Sequence, residues 1–198
     1  GMSGICIPET VLNLYKHDPG NTQILCARRS GIDGSKGINA LFQAELTSGA
    51  KPAQVWDMRH DAWARVGFHL ADPVLCTRNL WDRGLQNGSL GLVVEVADDP
   101  RSPPDETSDE TSPVLAWVEW DDGVRRPIVE EMLDDLELGY AITVHKAQGS
   151  QWPRVIVPIT GNRLLDRTMV YTAVTRAQSQ VLLVGDEAAA KAAVEGTP

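Results

Sequence analysis

Cysteine is scarce in this 198-residue chain: Cys6, Cys26 and Cys76 are the full set, with no C-x-x-C pair and no neighbouring histidine. An odd, widely spaced trio excludes a disulfide scaffold and a zinc ribbon and suits a reducing cytoplasm. His17, His60 and His69 have no ligand spacing, so no metal is assigned. No apolar run approaches the roughly 20 residues that span a bilayer, which removes membrane readings. Nor does a charged n-region lead into an apolar h-region, so no export signal is read, and Gly1 ahead of Met2 looks like an expression-tag remnant. Seventeen glycines are far too few for collagen, and 42% hydrophobic residues are too many for a disordered chain. A globular protein with a real core remains.

Positive charge is also short, with a net charge of −9 that argues at first against an anionic ligand. The deficit is local. Residues 98–137 hold fourteen acids against Arg101, Arg125 and Arg126, a net −11, so the rest of the chain sums to +2. A mean charge therefore excludes nothing about the remaining surface.

Gln23–Ala27 reads as a buried strand, followed by the loop Arg28–Gly34 and a helix from about Lys36 behind a Ser35 cap. Ile38, Leu41, Phe42 and Leu46 give that helix one apolar face. From Asp72 the pattern turns to short β runs at 74–77, 90–96, 114–120 and 124–129, with Asn87-Gly88 and Asp122-Gly123 as turn dipeptides. These predict a small antiparallel barrel, carrying an acidic, proline-rich loop at 98–113 as a solvated tip. The α/β pattern returns after Leu138, with a strand at 154–157, a helix around 166–177, a strand at 181–184 and a short terminal helix at 188–194. Met169, Val170, Ala173, Val174 and Ala177 point one face of that middle helix inward. The division expected is an α/β domain at 2–70 and 138–198 with a β insertion at 71–137. Residues 49–70 show no clear period.

Two polar clusters interrupt otherwise apolar stretches. Thr143-Val144-His145-Lys146-Ala147-Gln148-Gly149-Ser150-Gln151 brings hydroxyls, an imidazole, an ammonium and amides to a helix expected to end at Gly149. Such groups hold a phosphodiester backbone without reading bases; the same string also fits a plain surface helix with a glycine cap. Tyr171-Thr172-Ala173-Val174-Thr175-Arg176 ends the last long helix. Arg176 there suits either an arginine finger on a transferring phosphoryl group or an ordinary helix-dipole partner.

The string Tyr140–Gln151, followed about twenty residues later by Tyr171–Ala177, closely resembles motifs V and VI of the RecD-like and TraA-like superfamily 1 DNA helicases. Thr77-Arg78-Asn79 with Asn87–Gly91 is similar to the opening of that family's inserted module, and Arg28–Leu46 to its motif IV region. The resemblance implies an α/β, RecA-like parallel-sheet domain of the P-loop NTPase type with an inserted SH3-like antiparallel β-barrel. It implies that Thr143, His145, Lys146 and Ser150 face single-stranded DNA, with Thr77, Arg78, Asn79 and Trp81 of the insertion. Gln148, Gly149 and Gln151 would line the nucleotide cleft. Arg176 would be the catalytic finger, and Arg28 or Arg29 a second phosphate contact. The motifs are then expected on one edge of the sheet. Two positions depart from the pattern: Gln151 stands where relatives often have Glu, and Gln178 where a basic residue is common.

No G-x-x-x-x-G-K-[ST] order exists; Gly34-Ser35-Lys36-Gly37 comes nearest and lacks it. Without that loop nothing cradles the β- and γ-phosphates, so the chain is expected not to hydrolyse ATP by itself. The resemblance implies that ATP with Mg²⁺ is held by the first RecA-like domain of a longer chain, that single-stranded DNA moves 5′ to 3′, and that this stretch carries no cofactor of its own. The alternatives are a stand-alone module that binds nucleic acid or protein, and an independent NTPase of unusual type. Trp56, Trp63, Trp117, Trp120 and Trp152 are taken as packing residues before stacking ones, with Trp81 as the best stacking candidate.

Overall fold

The computed structural model describes residues 6–100, 112–160 and 167–185. In chain order the elements are α1 (Ile7–Tyr15), β1 (Thr22–Cys26), α2 (Ser35–Leu46), β2 (Pro52–Asp57), β3 (Ala62–His69), β4 (Pro73–Cys76) and β5 (Leu90–Val96). Then follow β6 (Val114–Trp120), β7 (Arg125–Val129), β8 (Leu136–Leu138), β9 (Ala141–Thr143), β10 (Trp152–Ile159), α3 (Arg167–Thr175) and β11 (Ala177–Gly185). The expected terminal helix at 188–194, the start of the helix at 166 and most of the acidic loop lie outside the described residues.

The chain forms two compact units, Gly1–Phe42 with Tyr140–Pro198, and Gln43–Gly139. This grouping takes Gln43–Leu70 with the β-rich unit, whereas the division drawn from sequence counted those residues with the α/β part.

In the first unit a four-stranded, all-parallel sheet runs β11-β10-β1-β9. The two inner strands are largely apolar and buried, with Thr22, Gln23 and Arg154 as buried polar exceptions, as a parallel sheet covered on both faces favours. β1 is buried at every residue. Helix α2 buries Ile38 and Phe42 on one face, as the spacing predicts, while Leu46 at its end stays 38% exposed. Helix α1 buries Ile7, Val11 and Leu12. Tyr15 packs its ring 5.0 Å from Phe42 and 6.1 Å from Tyr140, and burial pushes its phenol pKa up.

β9 is only three residues long, and its outer edge is closed by a side chain. Asn39 of α2 donates from Nδ2 to the Ala141 carbonyl and accepts the Ala141 N–H on Oδ1, both at 2.8 Å. A primary amide carries the same donor and acceptor pair as a peptide, so Asn39 stands in for a neighbouring strand. Gln23 adds a bond to the Tyr140 carbonyl at 3.0 Å.

The second unit holds the hairpin β2-β3 and a five-stranded antiparallel sheet ordered β7-β6-β5-β4-β8. The expected strands are present, and Asp122-Gly123 turns the chain between β6 and β7, with Gly123 at φ +78. Barrel closure is not seen. β8, three residues long, reaches β4, and no pairing joins it to β7 among the described residues. Val74, Cys76, Leu85, Val93, Val118 and Ile128 lie in this unit's core. Beside it the fully buried carboxylate of Asp72 accepts from Thr47 Oγ1 at 2.6 Å, Gln43 Nε2 at 2.7 Å and the His69 amide at 2.8 Å. Of the expected acidic tip, Asp98 is described, and Lys51 binds it and holds its carboxyl below the ordinary range. No helix among the described residues is long and apolar enough to cross a membrane.

Asn39→Ala removes both partners of Ala141 and leaves a buried N–H and a buried C=O unpaired. Urea unfolding of the variant is expected to show a loss of about 2–4 kcal/mol. Asn39→Asp, which keeps the acceptor and loses the donor, is expected to fall between it and the parent.

Candidate functional site

The segment 140–148 is not the helix that its polar cluster suggested. Ile142, Thr143 and Val144 are a β-branched run, which loses rotamer freedom in a helix and packs well in a strand. Ala141–Thr143 accordingly pairs with Ile24–Cys26 as β9, and Val144–Ala147 forms one 3₁₀ turn. Val144 and Ala147 point inward and are buried, leaving His145 exposed and Lys146 partly exposed. Gln148 and Gly149 are exposed, and Gly149 takes φ +80, a left-handed conformation that glycine adopts without strain. The Ser150 amide closes the turn on the Ala147 carbonyl at 3.1 Å.

The next residues enter β10 and meet the second cluster. The Trp152 N–H donates to the Arg176 carbonyl at 2.9 Å, and Trp152 stands opposite Ala177 in the parallel pairing. Gln151 Nε2 lies 3.4 Å from the Thr175 carbonyl. The two strings, separated by about twenty residues, therefore touch at the first rung of β10 and β11.

Not all of the first string reaches that edge. Cys26 pairs with Thr143 at the C-terminal end of β1, whereas Thr22 pairs with Arg154 near its start. At 3.3 Å per residue, Thr143 lies about 20 Å along the strand direction from the Trp152 level. The expectation of one shared edge is thus corrected: Thr143 and the loop bearing Arg28 and Arg29 occupy the C-terminal edge, while Gln151 and Arg176 occupy the N-terminal edge. The 3₁₀ turn and residues 148–150 span the interval.

Arg176 follows the last turn of α3. Its N–H donates to the Ala173 carbonyl at 3.1 Å, and its Nη2 is 3.4 Å from Thr175 Oγ1. The side chain is partly exposed, but its Nε is buried and has no partner among the described residues. Tyr171 and Val174, 70% and 42% exposed, form an apolar stripe on α3 one turn away. β11 is an edge strand of the sheet, with Gln178, Ser179 and Gln180 exposed.

Arg28 and Arg29 differ in kind. Arg28 binds Asp33 Oδ1 through Nε at 2.9 Å and Nη2 at 2.8 Å, and Asp33 Oδ2 accepts from Thr160 Oγ1 at 2.6 Å. Asp33 is buried, so this arginine closes the loop between β1 and α2. Arg29 is exposed. Burial, aided by Asp33, pushes the Cys26 thiol at the end of β1 far above the ordinary range.

The remaining candidates belong to the second unit. The Thr77 amide donates to the Asp135 carbonyl at 2.9 Å, and Arg78 faces Asp135 at 3.8 Å. Asn79 Oδ1 accepts the Asn87 amide at 2.9 Å. Trp81, 69% exposed, sits on a short 3₁₀ turn closed by the Leu80–Leu85 bridge and Gly84 at φ +68. Trp120 is buried, and Trp117 packs under Arg125 with the guanidinium carbon 5.2 Å from the ring centre. No group of three or more His, Cys, Asp or Glu converges among the described residues.

Residues 138–184, which hold both strings, match the UvrD-like helicase C-terminal domain family. The RecBCD enzyme subunit RecD of Mycolicibacterium smegmatis is 33% identical over 189 residues, covering 94% of this chain and 28% of that protein. The chain belongs with the RecD-like superfamily 1 helicases. The ATP-dependent RecD2 DNA helicase of Deinococcus radiodurans is 31% identical over 173 residues, 86% of this chain and 21% of that protein. The Bacteroides Pif1 helicase, solved with ADP-AlF3 and ssDNA, has the same fold at TM-score 0.53 and 16% identity, over 88% of this chain and 45% of that one. The chain spans about a quarter of the length of its curated RecD relatives and corresponds to the C-terminal part of such a helicase.

Asn39 and Asp33 shape this site and were not singled out by sequence. Asn39 did leave a signal, a polar residue directly beside Ile38 on a helix that packs against a sheet. In the native chain, exposed Cys6 is expected to react with a thiol reagent rapidly, and Cys26 and Cys76 only as fast as the fold opens. Three equally fast thiols by absorbance would show that β1 and β4 are open.

Proposed function

We propose that the chain is the C-terminal motor half of an ATP-dependent 5′ to 3′ DNA helicase, a second RecA-like domain whose partner is the first RecA-like domain of the same longer protein. The observation that carries this reading is Arg176 at the joint of the two strings, with a buried guanidinium N–H left without an acceptor. An unmet buried donor costs about 1–3 kcal/mol, so the position favours an acceptor brought from outside. A phosphoryl group at the edge of a neighbouring domain is the acceptor that this geometry suits. Tyr171 and Val174 give that neighbour an apolar surface beside it.

Charge supports the same reading. Between the unit boundaries, the unit carrying both strings has ten Lys and Arg against seven Asp and Glu, a net +3, while the other has eight against twenty, a net −12. His145 and Lys146 on the exposed side of the 3₁₀ turn, with Thr143 and Ser150 at its ends, are proposed to hold the single-stranded DNA backbone. Thr77, Arg78, Asn79 and Trp81 of the insertion, read as the SH3-like module at 71–137, are proposed as DNA contacts of that unit. Arg28 or Arg29, just after the end of β1, is proposed as a second phosphate contact. Gln148 and Gly149 lie between the two edges.

Among the described residues of this unit, none fits magnesium: Asp33, their one buried carboxylate, is already taken up by Arg28 and Thr160. The ion and the β- and γ-phosphates are therefore assigned to the Walker-bearing domain, where the ion would neutralise developing charge. This chain supplies Arg176 to the transferring phosphoryl group and a grip on DNA that changes as the cleft closes and opens. Work comes from the difference in grip between states, since equal affinity in both would move nothing. The cytoplasm, with its reduced thiols, is the proposed setting.

In the full-length parent, Arg176→Ala is expected to lower DNA-stimulated ATP turnover by at least about a hundredfold with nucleotide binding nearly intact. Unchanged turnover, together with tight single-strand binding by this chain alone, would make it a stand-alone binding module instead. Lys146→Ala is expected to weaken single-strand binding and lower the slope of log affinity on log salt by roughly 0.7. An unaltered slope in a salt titration would remove Lys146 from the DNA contact.

A further inference from the structure

We propose that the hairpin β2-β3 is a DNA-binding ribbon that takes the duplex arm of a fork, with Met58, Arg59 and Arg65 as its contacts. The inference rests on the reading of the parent as a DNA motor, and not on the role of Arg176. β2 and β3 form a two-stranded sheet of their own. Its base is fixed: Ala53 and Phe68 are buried in the unit's core, Val66 packs against it, and the Leu70 amide donates to the Lys51 carbonyl at 2.9 Å. Gln43 Nε2 adds a bond to the Gly67 carbonyl at 2.8 Å. Above the base the ribbon is stiffened twice. Trp56 stands opposite Trp63 with ring centres 5.1 Å apart and planes at 77°, an edge-to-face pair. At the turn the Asp57 carboxylate accepts from His60 Nδ1 at 2.6 Å and from the Arg59 amide at 2.9 Å, contacts that hold its pKa below the ordinary range. Asp61, at φ +47, closes the loop.

A turn built this firmly presents side chains that the fold does not use. Met58 is 87% exposed, more than any other large apolar side chain among the described residues. Arg59 and Arg65 are exposed, and neither pairs with a carboxylate among the described residues. Gln54 pairs with Arg65 and Trp56 with Trp63, so alternation sets Trp56, Trp63 and Arg65 on one face, while Ala53, Val66 and Phe68 turn the other to the core. Arg65 stands three residues below Ala62, the last pair before the turn, and so lies about 10 Å from it along the ribbon. A major groove about 12 Å wide admits a two-stranded ribbon of this kind. There the apolar tip meets base edges, and guanidiniums spaced along the strands meet phosphates of the rim. Charge agrees. Outside residues 52–69 the unit holds six bases against eighteen acids, whereas the ribbon balances two against two and commits one of its acids, Asp57, to His60. Phosphate can approach the ribbon where most of the unit repels it.

The test compares the full-length parent with Arg59→Gln/Arg65→Gln and with Met58→Ala by fluorescence anisotropy, on a labelled fork with a duplex arm and on single-stranded DNA of the same tail. The double variant is expected to bind the fork about tenfold more weakly and to lower the slope of log affinity on log salt by roughly 1.8, one duplex phosphate for each arginine, with single-strand affinity within about twofold of the parent. Met58→Ala is expected to weaken fork binding about threefold at an unchanged slope, since an apolar contact releases no counterions. Equal losses on fork and single strand would put the hairpin on the tracking strand, and unchanged fork affinity in both variants would take it off DNA altogether; either result overturns the proposal. The three side chains are exposed, so an unchanged melting temperature is expected and separates a lost contact from a lost fold. A parent that binds neither DNA is the failure of the motor reading, seen before any variant is made. Intact ATP turnover in Arg176→Ala would end the finger reading and leave this one standing.

Discussion

The pairing of Trp152 with the Arg176–Ala177 step is the constraint on which the site depends. It is the first rung between two parallel strands, and it joins segments that carry different chemistry. Upstream of it the chain has come from the C-terminal end of β9 through a single 3₁₀ turn; downstream, α3 has just ended. Because every strand of this sheet runs the same way, the return from one end to the other must be made by the connections. Residues 144–151 make one of these returns, which is why the basic and hydroxylic side chains of that stretch are spread along a path and not gathered at one spot.

The rest of the unit supports that path. β1 lies between β10 and β9 and is buried throughout, so both neighbours are referenced to the same apolar strand. Asn39 closes the outer edge of β9 in place of a further strand, and Arg28, Asp33 and Thr160 fix the loop that leads into α2. These are polar interactions in sheltered places, where each group is satisfied by a specific partner. Their common effect is to leave few degrees of freedom at the positions where the exposed residues emerge.

Much of this was readable from the residues, and the exceptions have physical causes. The apolar face of Ile38 and Phe42, the β runs around residues 90 and 114, and the turn at Asp122-Gly123 announce themselves because period and turn chemistry are local properties. The two motif strings were legible as strings, and the family they indicated matches the relatives found. Their geometry was less so. The cluster at 143–151 read as a helix end because its polar residues and Gly149 dominate the pattern, while the decisive fact, that Ile142 pairs beside Leu25, depends on a residue more than a hundred positions away. The hairpin β2-β3 escaped notice because both faces of β3 are partly exposed, which blurs alternation. Asn39 acts across a similar distance and could only be flagged as out of place.

The order of strands in the parallel sheet also dictates when it can exist during synthesis. β1 leaves the ribosome before any of its partners, each of which lies beyond residue 140, with the whole β-rich unit between. Until those partners are made, a strand carrying Ile24, Leu25 and Cys26 has both edges unpaired, a period in which it is open to misassociation. The intervening unit, whose strands pair among themselves, can form first. Translation therefore imposes a sequence of events on this chain in which the platform beneath Arg176 is assembled last, from a strand that has waited longest.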